Sequence, residues 1–129
     1  MDALAPLGRD IFTFGLHKGA DVYAANIVQH GAETEFDVIY CEEVFTHVSL
    51  RVPGIHNVKN ALAASAAAIC LGCSPAAIRY GLAGFSGANR RFEFKGKYNG
   101  ADVYDDYAHH PSELKALLDA IETLGYKRT

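Results

Sequence analysis

The sequence predicts an α/β fold, of the α+β kind within this chain, in which an antiparallel three-stranded meander precedes two helices, a β-hairpin and a third helix. Three observations predict it. Three strand-like runs lie between Asp21 and Val52, and in the last of them apolar and polar residues alternate as in a half-buried strand. An alanine-rich run, typical of a closely packed helix, follows Pro53 and Gly54. Further along, Asn99-Gly100 separates two strand-like runs, as expected of a tight hairpin.

The strands are predicted from short apolar runs and their alternation. Residues 11–14 form an apolar run, consistent with a buried strand whose sheet partners lie outside this chain. Three runs then fill residues 21–52, with breaks at Gly31 and at 41–43. In the third run His47 falls on the solvated face, so we interpret it as a surface histidine. The face predicted to pack carries Val44, Thr46, Val48, Leu50 and Val52.

Two helices are predicted after the meander. Residues 57–71 form the alanine-rich helix, and Gly72 is suited to the left-handed position that ends it. A second helix starts at Ser74, whose hydroxyl can cap it, with Pro75 at the first helical position, and runs to about Leu82. The many alanines of the first helix allow close packing.

A flexible connection after the second helix is the predicted domain boundary. Gly84, Ser86 and Gly87 lie close together, and the composition changes there from alanine-rich to aromatic and charged. We therefore divide the chain into residues 1–87 and 88–129.

The C-terminal part is predicted to be a hairpin and one helix. Strands at 92–98 and 101–107 flank the Asn-Gly turn, which favours type I′ because both central residues need positive φ. After Pro111, apolar residues recur at helical spacing up to Gly125. One hairpin with one helix leaves a sheet edge uncovered, which is typical of a piece of a larger domain.

Composition excludes several classes of function. The 129 residues include 12 basic and 15 acidic ones, with a net charge of −3, so no basic surface for nucleic acid is expected. The apolar stretch 61–73 is shorter than the roughly 20 residues of a membrane span. Residues 1–10 show no secretory signal pattern. We therefore expect a cytoplasmic protein.

The cysteines predict neither a disulfide framework nor a zinc site. Cys41, Cys70 and Cys73 are odd in number, which favours a reducing compartment. The last two form a C-x-x-C without a second pair, so we interpret them as small buried apolar residues at a helix end.

A first polar cluster lies at the start of the alanine-rich helix, in G-I-H-N-V-K-N-A-L-A-A from Gly54. Asn57 and Asn60 are three residues apart, so both side chains point to one side of the helix. Two amides, each a donor and an acceptor, could bind the edge of an adenine ring. The alternative is that Asn57 is only the helix N-cap and Asn60 an exposed polar residue.

Two further clusters flank the predicted hairpin. Arg90 and Arg91 precede its first strand, and a guanidinium can bind phosphate oxygens and stabilise the charge of phosphoryl transfer. Asp105 and Asp106 end its second strand, where adjacent side chains face opposite ways, so only one can point toward a given ligand. A carboxylate there could bind ribose hydroxyls. The following His109-His110 pair could bind metal, but adjacent histidines seldom share an ion and no third ligand is evident.

Together the three clusters resemble the ATP-dependent Mur ligases, from about Phe12 to the end of the chain. G-x-H-N-x-x-N-A-L-A-A is similar to the family's adenine-side motif. D-D-Y-A-H-H-P is typical of members that join L-alanine to UDP-N-acetylmuramate and of a relative that recycles murein tripeptide, and the R-R-F-E form favours the former. The resemblance implies an enzyme with a UDP-substrate domain, a central ATPase domain and a C-terminal dinucleotide-fold domain. Residues 1–87 would end the second of these and 88–129 would begin the third.

The resemblance also implies roles for individual residues. Asn57 and Asn60 would contact adenine with His56 beside them, and Asp106 would hold the ribose while Tyr107 flanks the base. Arg91 would approach the γ-phosphate, and His109 would position the amino acid or an acyl-phosphate. In the family, ATP with Mg²⁺ phosphorylates the substrate carboxylate, and the L-alanine amine then displaces phosphate.

One departure limits what the chain is expected to do alone. The 129 residues contain no G-x-x-x-x-G-K-[ST] phosphate loop, so we expect the isolated chain to hydrolyse no ATP and to bind nucleotide weakly, with the Mg²⁺ ligands largely elsewhere. A stand-alone nucleotide-binding module and a histidine–carboxylate metal protein are the rival hypotheses. Uncovered edges also favour a homodimer.

Overall fold

The computed structural model describes residues 11–126 and contains two sheets and three helices. The first sheet has the order β1-β2-β3-β4, from β1 (Phe14–Gly15), β2 (Val22–His30), β3 (Glu33–Tyr40) and β4 (Glu43–Leu50). The strands from β2 to β4 form the predicted antiparallel meander. The residues before Ile11, where we predicted no secretory signal, lie outside the described part of the chain.

The prediction for residues 11–14 was wrong in two respects. The short strand β1 does find a partner within this chain, because it pairs in parallel with β2 at Phe14 and Val22. It is also not buried, since Phe14 is 47% exposed and Ile11 46%. An apolar run of four residues indicates a strand but carries no information about its neighbour.

The core lies between the meander and helix α1 (Ile55–Cys70). Phe36, in the central strand β3, is fully buried, as are Val58 and Leu62 of α1. Small side chains on the same face of α1, such as Ala61 and Ala66, let the helix lie close to the sheet. Burial of these side chains is what fixes the start of α1 relative to the strands.

The alternation predicted for β4 is confirmed except at one end. Thr46, Val48 and Leu50 are buried, but Val44 is 61% exposed. A bulge in the β3–β4 pairing shifts the register between Thr46 and Val44 and so breaks the alternation there. His47 is exposed, as predicted, and its Nδ1 lies 2.8 Å from Asp37 Oδ1. Its position on the outer face separates it from the core.

Helix α1 begins two residues earlier than predicted. Gly54 is its N-cap, with φ 93° and ψ 142°, so Asn57 lies inside the first turn and is not the cap. The helix ends near Gly72, as predicted. The interpretation of Cys70 and Cys73 as buried was wrong, because both are exposed, like Cys41. Cys70 is the last residue of α1, and Cys73 follows the turn at Gly72.

Helix α2 (Pro75–Ala83) starts as predicted, because the Ser74 side chain accepts a hydrogen bond of 3.2 Å from the amide of Ala77. Ile78 is its buried residue. The helix packs beside β4 and forms one wall of the space described below.

The C-terminal part is the predicted hairpin and helix. Strands β5 (Glu93–Tyr98) and β6 (Ala101–Asp105) pair in antiparallel fashion around Asn99 and Gly100, whose φ values are 49° and 83°, as type I′ requires. Helix α3 (Pro111–Glu122) follows. None of the helices within residues 11–126 is both long and apolar enough to cross a membrane.

Two contacts join α3 to the first part of the chain. The Gln29 side-chain amide donates a 2.6 Å hydrogen bond to Thr123 Oγ1, at the end of α3. Ala120 is 3% exposed and lies against Gly54, where a Cβ would come within 3.0 Å of the Ala120 Cβ. The last helix is thereby placed beside the start of α1.

Candidate functional site

A cavity of about 910 Å³ lies between the three helices and the connection that follows α2. Its walls are largely apolar and come from α1, α2 and α3, with side chains such as Ala64, Ile78 and Leu117. The polar groups lie where the start of α1 meets the residues around the hairpin. A mostly apolar cavity with a few convergent polar groups is the usual form of a small-molecule site.

Five of the seven residues predicted for a nucleotide site line this cavity. They come from distant parts of the sequence, and the fold brings them to one space. They are His56, Asn57, Asn60, Arg91 and Asp106.

The two asparagines are linked to each other. Asn60 Nδ2 lies 3.4 Å from Asn57 Oδ1, and Asn57 Nδ2 donates a 2.7 Å hydrogen bond to the Pro53 carbonyl. The alternative that Asn57 is the N-cap is therefore wrong, since Gly54 holds that position. Instead, Asn57 closes the turn that leads into α1, and this orients Asn60 on the cavity wall.

The segments on either side of the hairpin, residues 90–92 and 105–108, form a crossing at which they are hydrogen-bonded to each other. The Asp106 carboxylate accepts hydrogen bonds from the amide of Phe92 at 2.8 Å and from that of Ala108 at 2.7 Å. It faces the cavity, whereas Asp105 forms an ion pair with Arg90 at 3.5 Å. As predicted, only one of the two aspartates points toward the site. A carboxylate retains further lone pairs for a ligand.

Tyr107 and His109 do not line the cavity. The Tyr107 ring lies beneath the Arg90 guanidinium, with 4.6 Å from Cζ to the ring centroid, and 5.1 Å from the His109 ring. His109 is 71% exposed, and its Nδ1 lies 2.9 Å from the Tyr107 carbonyl. Their contacts with base and amino acid stay predictions.

Sequence reasoning missed Glu113, which lines the cavity from the first turn of α3. Its Oε2 accepts hydrogen bonds from the amides of His109 and His110, at 3.1 and 3.2 Å. These bonds lower the pKa of the Glu113 carboxyl below its ordinary value. The signal was available, since a glutamate three residues after a helix N-cap, with Pro111 between, is typical of a capping box.

No cluster of three or more metal-ligating side chains occurs within residues 11–126. The polar groups around the cavity are amides, a guanidinium and an imidazole, together with carboxylates that accept hydrogen bonds, and this set suits hydrogen bonding to a nucleotide.

The half-buried His56 interacts electrostatically with Asp106 and Arg91, which also line the cavity. Burial lowers its pKa below the ordinary 6.5, the Asp106 carboxylate offsets part of that change, and Arg91 adds to it. Because the folded-state pKa is lower than that of the unfolded chain, neutral His56 favours folding above pH 6.5. That contribution is lost as the pH falls through the folded-state pKa.

We expect the NMR titration of the His56 ring to have its midpoint below 6.5. Arg91→Ala should raise that midpoint, because it removes a neighbouring positive charge. Arg79→Ala, on the exposed side of α2, is the matched control and should leave it unchanged. A midpoint that falls in Arg91→Ala would contradict this electrostatic arrangement.

Comparison with known proteins relates this site to one family. Residues 1–68 match the Mur ligase middle domain, and residues 90–129 match the Mur ligase glutamate ligase domain. The UDP-N-acetylmuramate–L-alanine ligase of Clostridium novyi is 46% identical over 119 residues, which cover 92% of this chain and 26% of that protein. The chain thus spans about a quarter of the length of the curated relatives it matches.

Solved structures agree with the sequence relatives. The UDP-N-acetylmuramate-alanine ligase MurC of Thermotoga maritima superposes with a TM-score of 0.78 at 33% identity, over 88% of this chain and 26% of that one. MurF of Acinetobacter baumannii gives 0.81 at 32% identity, over 92% and 26% respectively. The mixed arrangement of sheets and helices seen here is therefore shared with these ligases.

Proposed function

Since the chain belongs to the Mur ligase family, we propose that it is part of an ATP-dependent ligase that joins L-alanine to UDP-N-acetylmuramate in the cytoplasm. The observation that carries this proposal is the convergence of His56, Asn57, Asn60, Arg91 and Asp106 on one cavity. These residues were selected from three separate motifs, and the relatives at 41–48% identity are named for this activity. The proposed reaction forms an amide bond and is a step of peptidoglycan synthesis.

We assign the residues of the cavity to the parts of ATP. The amides of Asn57 and Asn60, with His56 beside them, offer donors and acceptors for the adenine edge. Asp106 accepts hydrogen bonds from the ribose hydroxyls, and Tyr107, the next residue in the chain, flanks the base. Arg91 supplies positive charge for the terminal phosphate.

The chemistry follows from the charges that such a reaction must accommodate. The substrate carboxylate takes the terminal phosphoryl group and releases ADP, and the amine of L-alanine then forms the amide bond as phosphate leaves. Arg91 stabilises negative charge during phosphoryl transfer, and His109 positions the acceptor amino acid. Mg²⁺ supplies further charge neutralisation, and we propose that most of its ligands belong to parts of the enzyme outside this chain.

The test uses the whole protein that contains this chain, with Mg²⁺-ATP, UDP-N-acetylmuramate and L-alanine. We expect phosphate release that requires all three substrates, and a product whose mass equals the two joined substrates less water. The 129-residue chain alone should release no phosphate, because it lacks a phosphate loop.

Two other outcomes would change the proposal. Ligation of murein tripeptide without ligation of L-alanine would make the protein a recycling ligase of the same family. Binding of ATP without any ligation would make it a nucleotide-binding module. Self-association of the 129-residue chain into a homodimer is a separate expectation, because β5 and β6 form a two-stranded sheet within the described residues. Light scattering that shows a monomer at all concentrations would remove it.

A further inference from the structure

The paired arginines have different surroundings. Arg91 lines the cavity, whereas Arg90 does not and makes its contacts at the crossing beside the hairpin. We propose that Arg90 is a positioning residue, which with Asp105 and Tyr107 holds the backbone so that Arg91 faces the site. The proposal rests on the proposed function only for the role of Arg91.

The backbone on both sides of Arg91 is in an unfavourable conformation. Arg90 has φ 57° and Phe92 has φ 49°, so both are left-handed although neither is glycine. Residues with a side chain disfavour this region and keep it only where surrounding contacts enforce it. Two such residues around a site-lining arginine indicate that the direction of Arg91 is determined by its neighbours.

Arg90 is held at four points. Its amide donates to Glu93 Oε2 at 2.9 Å, and its carbonyl accepts from the Tyr107 amide at 2.9 Å. Its Nε lies 3.5 Å from Asp105 Oδ2, and its Cζ lies 4.6 Å from the centre of the Tyr107 ring. Backbone and side chain are therefore tied to both strands of the hairpin at once.

On the other side of Arg91, the backbone is held by Asp106. One oxygen of this carboxylate binds the Phe92 amide and the other binds the Ala108 amide. Arg91 thus lies between two anchored residues, and its own amide donates to the Ala88 carbonyl at 3.1 Å. The first of these residues, Arg90, is anchored in part by its own side chain, through Asp105 and Tyr107.

The guanidinium suits this position for a physical reason. A planar group can lie flat on an aromatic ring while an edge nitrogen faces a carboxylate, whereas a lysine ammonium is a compact charge that cannot do both equally well. A glycine at position 90 would lose the side-chain contacts, but it would adopt the left-handed conformation without a steric penalty. If the backbone conformation of Arg90 matters, Arg90→Gly should retain more function than Arg90→Lys, whereas a role of the charge alone would give the opposite order.

The first experiment measures amide hydrogen exchange by NMR in the full 129-residue chain and does not depend on enzyme activity. In Arg90→Ala, we expect the amides of Phe92 and Tyr107 to exchange about tenfold faster, while those of β2 to β4 stay unchanged. Arg90→Gly should show a smaller increase. Unchanged exchange at both amides in Arg90→Ala would overturn the proposal.

The second experiment measures steady-state kinetics in the whole ligase. Arg90→Ala should lower kcat/KM for ATP about tenfold without changing the KM for UDP-N-acetylmuramate, because only the placement of Arg91 is altered. Arg90→Gly should recover part of the loss and Arg90→Lys less, with Arg79→Ala as the matched control. Equal losses in the glycine and alanine variants would overturn the backbone role. An inactive wild type would instead refute the proposed function, and the exchange experiment would still decide the role of Arg90.

Discussion

Replacement of Arg91 by alanine is expected to lower the turnover of the whole ligase by roughly 10³-fold, the low end of the effect of an arginine that stabilises phosphoryl transfer. Arg91 lines the cavity together with the asparagine amides at the start of α1. Negative charge that develops in such a partly enclosed space gains more from a fixed cation than it would in water. Arg91→Lys keeps the charge but not the planar pair of donors, so we expect an intermediate loss.

Steady-state kinetics with ATP as the varied substrate measures this effect. Arg79→Ala is the matched control, because Arg79 lies on the exposed side of α2. Arg91 is exposed and outside the buried core, so its removal should leave the thermal unfolding midpoint nearly unchanged. An Arg91→Ala enzyme that retains more than about a tenth of the wild-type turnover would remove Arg91 from the chemistry.

Much of the fold follows from local signals in the sequence. The Asn99-Gly100 turn was predictable because few dipeptides accept positive φ at both positions. The start of α2 was predictable because Ser74 and Pro75 satisfy requirements within one turn of helix. Features of this kind depend on a few adjacent residues, and the structure confirms them.

The errors concern features that depend on distant residues. The pairing of β1 with β2 involves Phe14 and Val22, which no local pattern connects. The early start of α1 depends on Gly54, whose conformation is suited to the close approach of Ala120 from α3. Cys70 and Cys73 are exposed because nothing within residues 11–126 covers this end of α1, which the local sequence pattern could not show.

The candidate site shows the same division. Motif spacing placed His56, Asn57 and Asn60 together, since they share one turn of helix, and the structure adds Arg91 and Asp106 to the same cavity. Spacing could not show that the Tyr107 ring lies beneath Arg90, or that the helix-capping residue Glu113 also contacts the cavity. Both contacts arise where the hairpin leads into α3, and their geometry appears only in three dimensions.

Among the described glycines, Gly54 is the one at which an added methyl group is expected to cost the most stability, because it contacts α3. A Cβ at position 54 would lie 2.8 Å from Cε1 of His56 and 3.0 Å from the Cβ of Ala120. The imidazole can rotate away, but the Ala120 Cβ is fixed to α3, so relief requires movement of the helix. The φ of 93° adds a backbone penalty for any residue other than glycine. We expect Gly54→Ala to lower the free energy of unfolding by about 2–4 kcal/mol.

The matched control is Gly19→Ala. Gly19 also has a positive φ, 115°, but nothing lies within 4 Å of its added Cβ, so only the backbone penalty of about 1–3 kcal/mol applies. Urea unfolding of both variants in the 129-residue chain gives the difference, which isolates the contact between α3 and the start of α1. The ring resonances of His56 should also shift in Gly54→Ala and not in Gly19→Ala. Equal losses of stability with an unmoved His56 would show that α3 does not rest on Gly54, and the cavity between the helices would then lose the contact that fixes one of its walls.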